Sequence, residues 1–338
     1  MARDRFMNIC PILHFNANDD PRALIDRAWK IRKVADVLQR TIREGYVPHA
    51  ELSFDEAMLP NRSSFNKMRV YMKAKPHKWG TKLFMLCSAH TAYCIRSTRA
   101  TITRQTRKKA GGCRAEHEAV FGDTHLASKR LVVIDRFCTS VALAIQLLMM
   151  GFYCVGTIQT NRLGYCKEII CKKKTRPKDK DRGSCKISES THVPGLRAIC
   201  WMDFKPVHFL TCGGSVELNR VVRKDKTDYH KFMGGVDVHD QLRLQRYSIQ
   251  RAVTFRKFYK SLFLGLIDMA IVNSYIVHKA YHKTKATRPL KHVKFMKKLQ
   301  LQLTQLQESD IYEGDTFGDA EATATSGPVH NTRGRIGR

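Results

Sequence analysis

The sequence predicts an α/β fold with helical segments on either side of its strand-rich part. Three observations predict it. Residues 130–158 read as strand, helix, strand. Residues 51–95 read as a series of short strands. Residues 21–44 and 256–282 repeat apolar side chains at helical spacing. The 338 residues suffice for one large domain or two to three small ones.

The elements follow in chain order. Leu24, Ile25, Trp29, Ile31, Val34, Val37, Leu38 and Ile42 predict a helix from Pro21 to about Glu44, started by Asn18-Asp19-Asp20-Pro21 and ended by Gly45 and Pro48. Glu51–Met58, Met68–Met72, Lys82–Cys87 and Ala92–Ile95 read as strands, with Pro76-His77-Lys78-Trp79-Gly80 as a break between them. Ser97–Gly112 is basic, polar and aperiodic, and reads as loop. Arg130–Asp135 is a compact apolar run suited to a strand buried on both faces. Thr139–Met150 follows as an apolar helix, capped by Thr139 or Ser140 and closed by Gly151. Phe152–Ile158 returns as a strand.

Residues 164–195 crowd lysine and arginine into a Pro/Gly-containing stretch, which reads as an exposed excursion. Ala198–Phe204 and Val207–Cys212 read as two strands joined by Lys205-Pro206. Helix resumes after Gly235. Arg256–His282 is the strongest helix, with Phe258, Leu262, Phe263, Leu266, Ile267, Ala270, Ile271, Ser274 and Ile276 or Val277 on its expected buried side. Ser261–Val277 is a little short for a membrane span and carries Asp268 and Asn273, so a buried helix is expected. Val293–Gln307 forms a last helix beyond Pro289. The final thirty or so residues are polar and are expected to be disordered.

Lys and Arg number 60 against 30 Asp and Glu, a formal charge of +30 spread along the chain. That balance points to a polyanion, with nucleic acid favoured over an acidic membrane surface or an acidic protein. The 11 cysteines form no Cys-x-x-Cys pair, and no secretory signal is read at the amino terminus. A reducing compartment, cytosol or nucleus, is expected, with most cysteines serving as small core residues.

Three aspartate motifs stand inside this basic chain: Ser53-Phe54-Asp55-Glu56, Leu131-Val132-Val133-Ile134-Asp135, and Met233-Gly234-Gly235-Val236-Asp237-Val238-His239-Asp240. Asp135 ends a buried strand just before a helix, where α/β sheets gather functional groups; a capping or loop role is the alternative. Asp55 interrupts the apolar texture of its strand, and so either faces solvent or serves a site. Glu56 points to the opposite face. Asp237 and Asp240, three apart, share a helix face; the alternative is a helix start whose acids complement the dipole. Together these carboxylates could hold a pair of Mg²⁺ ions for chemistry on a phosphate backbone. No nucleoside-triphosphate loop is present.

These residues resemble piggyBac-type transposases and their domesticated derivatives. The resemblance is carried by Asp4-Arg5-Phe6 with Leu13-His14-Phe15-Asn16, Glu51–Glu56, Lys75–Gly80, Asp135–Ser140, Gly156–Arg162, and Met233–Asp237 with Asp240-Gln241, in the family's order over about residues 1–280. It implies an RNase H-like catalytic domain interrupted by a small insertion domain and flanked by helical dimerisation and DNA-binding segments. The implied boundaries are 1–46 for the first helical part, 47–160 for the catalytic core, 161–222 for the basic insertion, 223–245 for the end of the core, 246–308 for the second helical part, and 309–338 for a disordered tail.

By the same resemblance Asp55, Asp135 and Asp237 are the catalytic acids and metal ligands, with Asp240 beside the last. Two Mg²⁺ (or Mn²⁺) ions are expected. The implied partner is double-stranded DNA, as transposon ends and TTAA targets, met by a nuclear homodimer with no membrane association. Lys172, Lys173, Lys174 and Arg176 in the insertion, with Arg251, Arg256 and Lys257 in the later helical part, are candidate phosphate contacts. Three departures from the family pattern suggest a truncated or degenerate copy. The stretch after Ile95 is irregular, the segment between Val222 and Tyr229 is short, and the carboxyl-terminal zinc module and usual amino-terminal extension are not seen. A catalytically inactive DNA-binding descendant is the rival reading, and a basic RNA-binding protein a third.

Overall fold

The computed structural model describes residues 3–24, 26–73, 75–99, 121, 129–173, 175–213, 228–253, 255 and 257–307. Lys174, Arg256, most of the expected loop after Ile95, the short segment before Tyr229 and the expected disordered tail therefore lie outside the described residues. Residues up to Pro289 form one compact unit; the chain from Leu290 onward is a second.

One mixed sheet organises the first unit. Its strands are β1 (Glu51–Pro60), β2 (Arg69–Tyr71), β3 (Trp79–Ser88), β4 (Cys94–Arg99), β5 (Leu131–Ile134), β6 (Tyr153–Thr157), β7 (Cys185–Glu189), β8 (Leu196–Met202) and β9 (Pro206–Cys212). Their order is β2-β3-β1-β5-β6-β9-β8-β7, with β4 also pairing β3. β1, β5 and β6 run parallel, whereas β3 and β9 join them antiparallel.

Central position explains β1. Flanked by β3 and β5, it is buried on both faces and has no polar side to alternate with. β4 corrects the expectation for the basic stretch: residues 97–99 continue the strand that begins at Cys94, and Arg99 pairs with Leu83. A strand with only one partner tolerates polar side chains, so a basic run can still be strand. The excursion expected over 164–195 is likewise not wholly exposed. Tyr165 and Ile169 are buried in the core, and β7, β8 and β9 extend the same sheet beyond β6.

The helices are α1 (Arg3–Ile12), α2 (Arg32–Glu44), α3 (Val141–Met149), α4 (Asp228–Phe232), α5 (Gly235–Arg243), α6 (Ile249–Ala252), α7 (Phe258–Thr284) and α8 (His292–Gln305). The helix expected from Pro21 starts only at Arg32, after two short 3₁₀ turns. Asp26 explains the break, since its carboxylate accepts the Ala28 N–H at 2.9 Å and bonds the Arg32 side chain, an Asx turn competing with helix. Ser140 caps α3, accepting the Leu143 N–H at 3.2 Å.

α7 is long and apolar enough to span a membrane by length and composition, but half of its most apolar stretch is buried inside the protein. Its buried side differs from the expected one: Leu262, Leu266 and Ile276 are buried, but so are Asp268, Met269 and Asn273, while Ser274 is exposed. Two polar residues turn it inward. Asn273 exchanges two 2.9 Å hydrogen bonds with the Cys94 backbone of β4. Asp268 accepts from Ser248 Oγ and from the N–H groups of Ile249 and Gln250, at 2.7–3.0 Å, holding α6.

Candidate active site

Register places the first two acids. Phe54 of β1 pairs with Ile134 of β5 in parallel, so Asp55 and Asp135 are the next residues on neighbouring strands. Asp55 continues within β1, whereas Asp135 follows the last residue of β5 and turns the chain, its carboxylate accepting the Phe137 N–H at 3.0 Å. Gly156 lets β6 pass close by. A Cβ there would stand 2.8 Å from the Ile134 carbonyl oxygen and 2.3 Å from Thr139 Oγ1.

The third acid arrives from α5. Ser53, two residues before Asp55, donates its hydroxyl to the Met233 carbonyl at 2.6 Å. Gly235 then packs so tightly that an added Cβ would sit 3.0 Å from Ser53 Cβ and 3.0 Å from the Ser88 carbonyl oxygen. These contacts bring the start of α5, and Asp237 in its first turn, to the part of β1 that carries Asp55.

Asp55 reports the result electrostatically. Burial above all, and then the nearby charges of Asp135 and Asp237, raise its carboxyl to about 7, against a hydrogen bond from the Glu56 N–H and the positive charge of Lys75. Lys75 Nζ lies 3.6 Å from Asp237 Oδ1. Tyr229 stands at the same place: its phenol is raised by burial and by both Asp135 and Asp55, and its hydroxyl lies 3.0 Å from Thr157 Oγ1. Lys75 and Tyr229 escaped the chemical reading of the sequence, although Lys75 lies inside the Lys75–Gly80 motif and Tyr229 eight residues before Asp237.

Asp240 has a different setting. It is buried and ion-paired with Arg243, which is itself buried and also donates to the Met58 carbonyl oxygen and, at 3.3 Å, to Gln250 Oε1. Glu56 pairs with Lys82.

The acids offer hard carboxylate oxygens, and Asp55 sits between two like charges with one lysine to offset them. This suits a divalent cation. Among the described residues, however, no three His, Cys, Asp or Glu side chains form a ready-made cation site, and Lys75 faces Asp237 where a cation would compete.

The candidate phosphate contacts that are described fall in the β6–β7 connection and around α6 and the start of α7. Lys172 and Lys173 are exposed between β6 and β7, and Arg176 donates to the Lys180 carbonyl. Arg251 is exposed and donates to the Leu244 carbonyl at 2.7 Å, and Lys257 is exposed at the N-cap of α7.

The family model described as Transposase IS4 matches residues 1–275, and the chain belongs to that family. Its similarities are to piggyBac-type members. It is 23% identical over 323 residues to human PiggyBac transposable element-derived protein 3, covering 88% of this chain and 51% of that protein. The human Chimeric ERCC6-PGBD3 protein matches at 23% identity over 88% of this chain and 29% of its own length. A cryo-EM structure of piggyBac transposase in a synaptic complex with hairpin DNA shares the fold, with a TM-score of 0.75 at 23% identity, over 90% of this chain and 63% of that one. The chain thus spans about half, or less, of the length of these curated relatives.

Proposed function

We propose that the chain is the core of a DDD-type transposase that binds double-stranded DNA and cuts and joins its strands at transposon ends and TTAA targets. The observation that carries this is Asp55: a carboxyl raised to about 7, with Asp135 and Asp237 both close enough to raise it. Burial together with specific charged neighbours is the arrangement by which functional sites shift a carboxyl in this way. Residues 47–160 and 223–245 form the RNase H-like part in this reading, and 161–222 the insertion. The order β4-β3-β1-β5-β6 supports it.

Asp55, Asp135 and Asp237 would hold two Mg²⁺ or Mn²⁺ ions, which supply charge neutralisation at phosphate and a more acidic water or 3′-hydroxyl. Asp55 binds cations in its ionised form, favoured above about pH 7. Lys75 offsets the charge of Asp237, and with a cation held by the acids it would be placed to meet a phosphate oxygen. Tyr229, held by Thr157, walls the site beside Asp135 and can donate a hydrogen bond to a reacting oxygen. Asp240 holds Arg243, and through it the carboxyl-terminal half of β1; its role is positioning. Nuclear location and a homodimer complete the reading, by analogy with the family.

A second reading, an inactive DNA-binding descendant, is favoured by the Lys75–Asp237 pairing and by the lack of a ready-made cation site among the described residues. A nicking assay on duplex and hairpin DNA separates the two. Cleavage that requires Mg²⁺ or Mn²⁺ and disappears in Asp135→Ala supports the first. Salt-sensitive DNA binding without cleavage supports the second.

A further inference from the structure

Away from the three acids, a cleft of about 720 Å³ opens between the ends of β1 and β3 and the α6–α7 junction. Its walls carry Tyr71, Trp79, Phe255 and Phe258, with Arg62 and Lys78, and among the described residues its lining includes no carboxylate. Tyr71 and Trp79 are cross-strand partners in β2 and β3, meeting edge to face at 5.0 Å. The Arg69 guanidinium lies 4.4 Å from the Trp79 ring centre and donates to the Arg62 carbonyl at 2.6 Å. These contacts fix the aromatic pair, yet Tyr71 remains 52% exposed and Trp79 40%. Two large exposed aromatics held in fixed geometry beside cations form a surface suited to a ligand with a flat face.

The field inside is positive. The His77 imidazole on the cleft wall is held below its ordinary value by burial and then by Arg251, Arg62 and Arg243, with Asp240 opposing. Two lining residues lie close in sequence to the acid site. His77 is two residues from Lys75, which faces Asp237. Pro60 on the cleft wall is five residues from Asp55 along β1, roughly 16 Å, about the length of five stacked base pairs.

We propose that this cleft binds an unpaired nucleotide of the DNA on which the acids act, its base stacked on Tyr71 and Trp79 and its phosphate met by Arg62 and Lys78. The inference rests on the DNA reading above and adds a subsite to it. Aromatic stacking accepts any base, and the cations track the backbone, so the cleft takes single-stranded nucleotides without strong sequence preference. A duplex presents no free base face and gains nothing there.

The test compares three labelled DNAs by fluorescence anisotropy at fixed salt: a blunt duplex, the same duplex with a three-nucleotide single-stranded extension, and the same extension made abasic. The wild-type protein is expected to bind the based extension about tenfold more tightly than the abasic one. Tyr71→Ala and Trp79→Ala should bring that ratio to near one while leaving blunt-duplex affinity unchanged, and Trp79→Phe should keep most of it. Tyr71 is exposed, so its variant keeps the test intact if Trp79→Ala does not fold. Equal affinity for the based and abasic extensions overturns the proposal, as does a ratio that Tyr71→Ala leaves untouched at wild-type melting temperature. Binding to none of the three DNAs would overturn the DNA reading itself. Binding to the blunt duplex with no gain from the bases would overturn the cleft alone.

Discussion

Asp55 and Asp135 stand one residue beyond the matched pair Phe54 and Ile134, side by side on neighbouring parallel strands. Parallel pairing aligns their chain directions, so both carboxylates follow the same edge of the paired region. Asp237 completes the group only because Ser53 and Gly235 hold α5 against β1.

Asp55 should make stability depend on pH. Its carboxyl keeps a proton up to about pH 7 when folded, against an ordinary value of 3.8. Between these limits the folded state binds more protons than the unfolded one. The contribution is therefore fully present below about pH 4 and is lost as pH rises through 7. Asp55→Asn should remove this dependence and, without divalent cations, stabilise the protein at pH 8 by about 2–4 kcal/mol. Urea melts at pH 5 and pH 8 measure it. A variant less stable than wild type at pH 8 would contradict the account.

Gly235 should tolerate no side chain. The carbonyl of Ser88 and the Cβ of Ser53 each lie 3.0 Å from where its Cβ would be. Gly235→Ala is expected to cost about 1–3 kcal/mol, the range for overpacking. It should also impair any activity that needs Asp237 more than its stability loss explains, while Gly234→Ala, with open space around it, should do neither. Thermal melts and nicking rates on both variants check this.

The Asp240–Arg243 pair should behave as structure. Removing Asp240 leaves a buried guanidinium with only neutral partners, so Asp240→Ala should cost about 3–5 kcal/mol. Equilibrium unfolding that changes by less than ~1 kcal/mol would show that Asp240 is not needed there.

Asp268 should anchor α6 on α7. It accepts three hydrogen bonds while buried. Asp268→Ala strands those donors and is expected to cost about 2–4 kcal/mol. Amide exchange should quicken at Ile249 and Gln250 first.

Much of this was legible beforehand, for physical reasons. β5, α3 and β6 carry their burial in composition: an apolar strand, a capped apolar helix, a returning strand. Asp135 was legible with them, because an acid at the end of such a strand is conspicuous. The face of α7 was not. Asp268 and Asn273 are polar, and periodicity alone puts polar groups outside, whereas here they hydrogen-bond to α6 and β4. β4 was hidden in part because a strand with one partner need not look apolar. Lys75 and Tyr229 were hidden as site residues because their meaning lies in proximity to Asp237 and Asp135, which no spacing encodes.

The most direct test of the central claim is Mn²⁺ binding, followed by electron paramagnetic resonance with duplex DNA present at pH 8. If Asp55, Asp135 and Asp237 form one cation site on DNA, the wild-type complex should take up Mn²⁺. Each single Asn substitution at these three positions should then weaken that uptake at least tenfold, and Asp203→Asn, on the β8–β9 turn, should not. Uptake unchanged by Asp135→Asn, in a variant that still folds and binds DNA, would contradict the account.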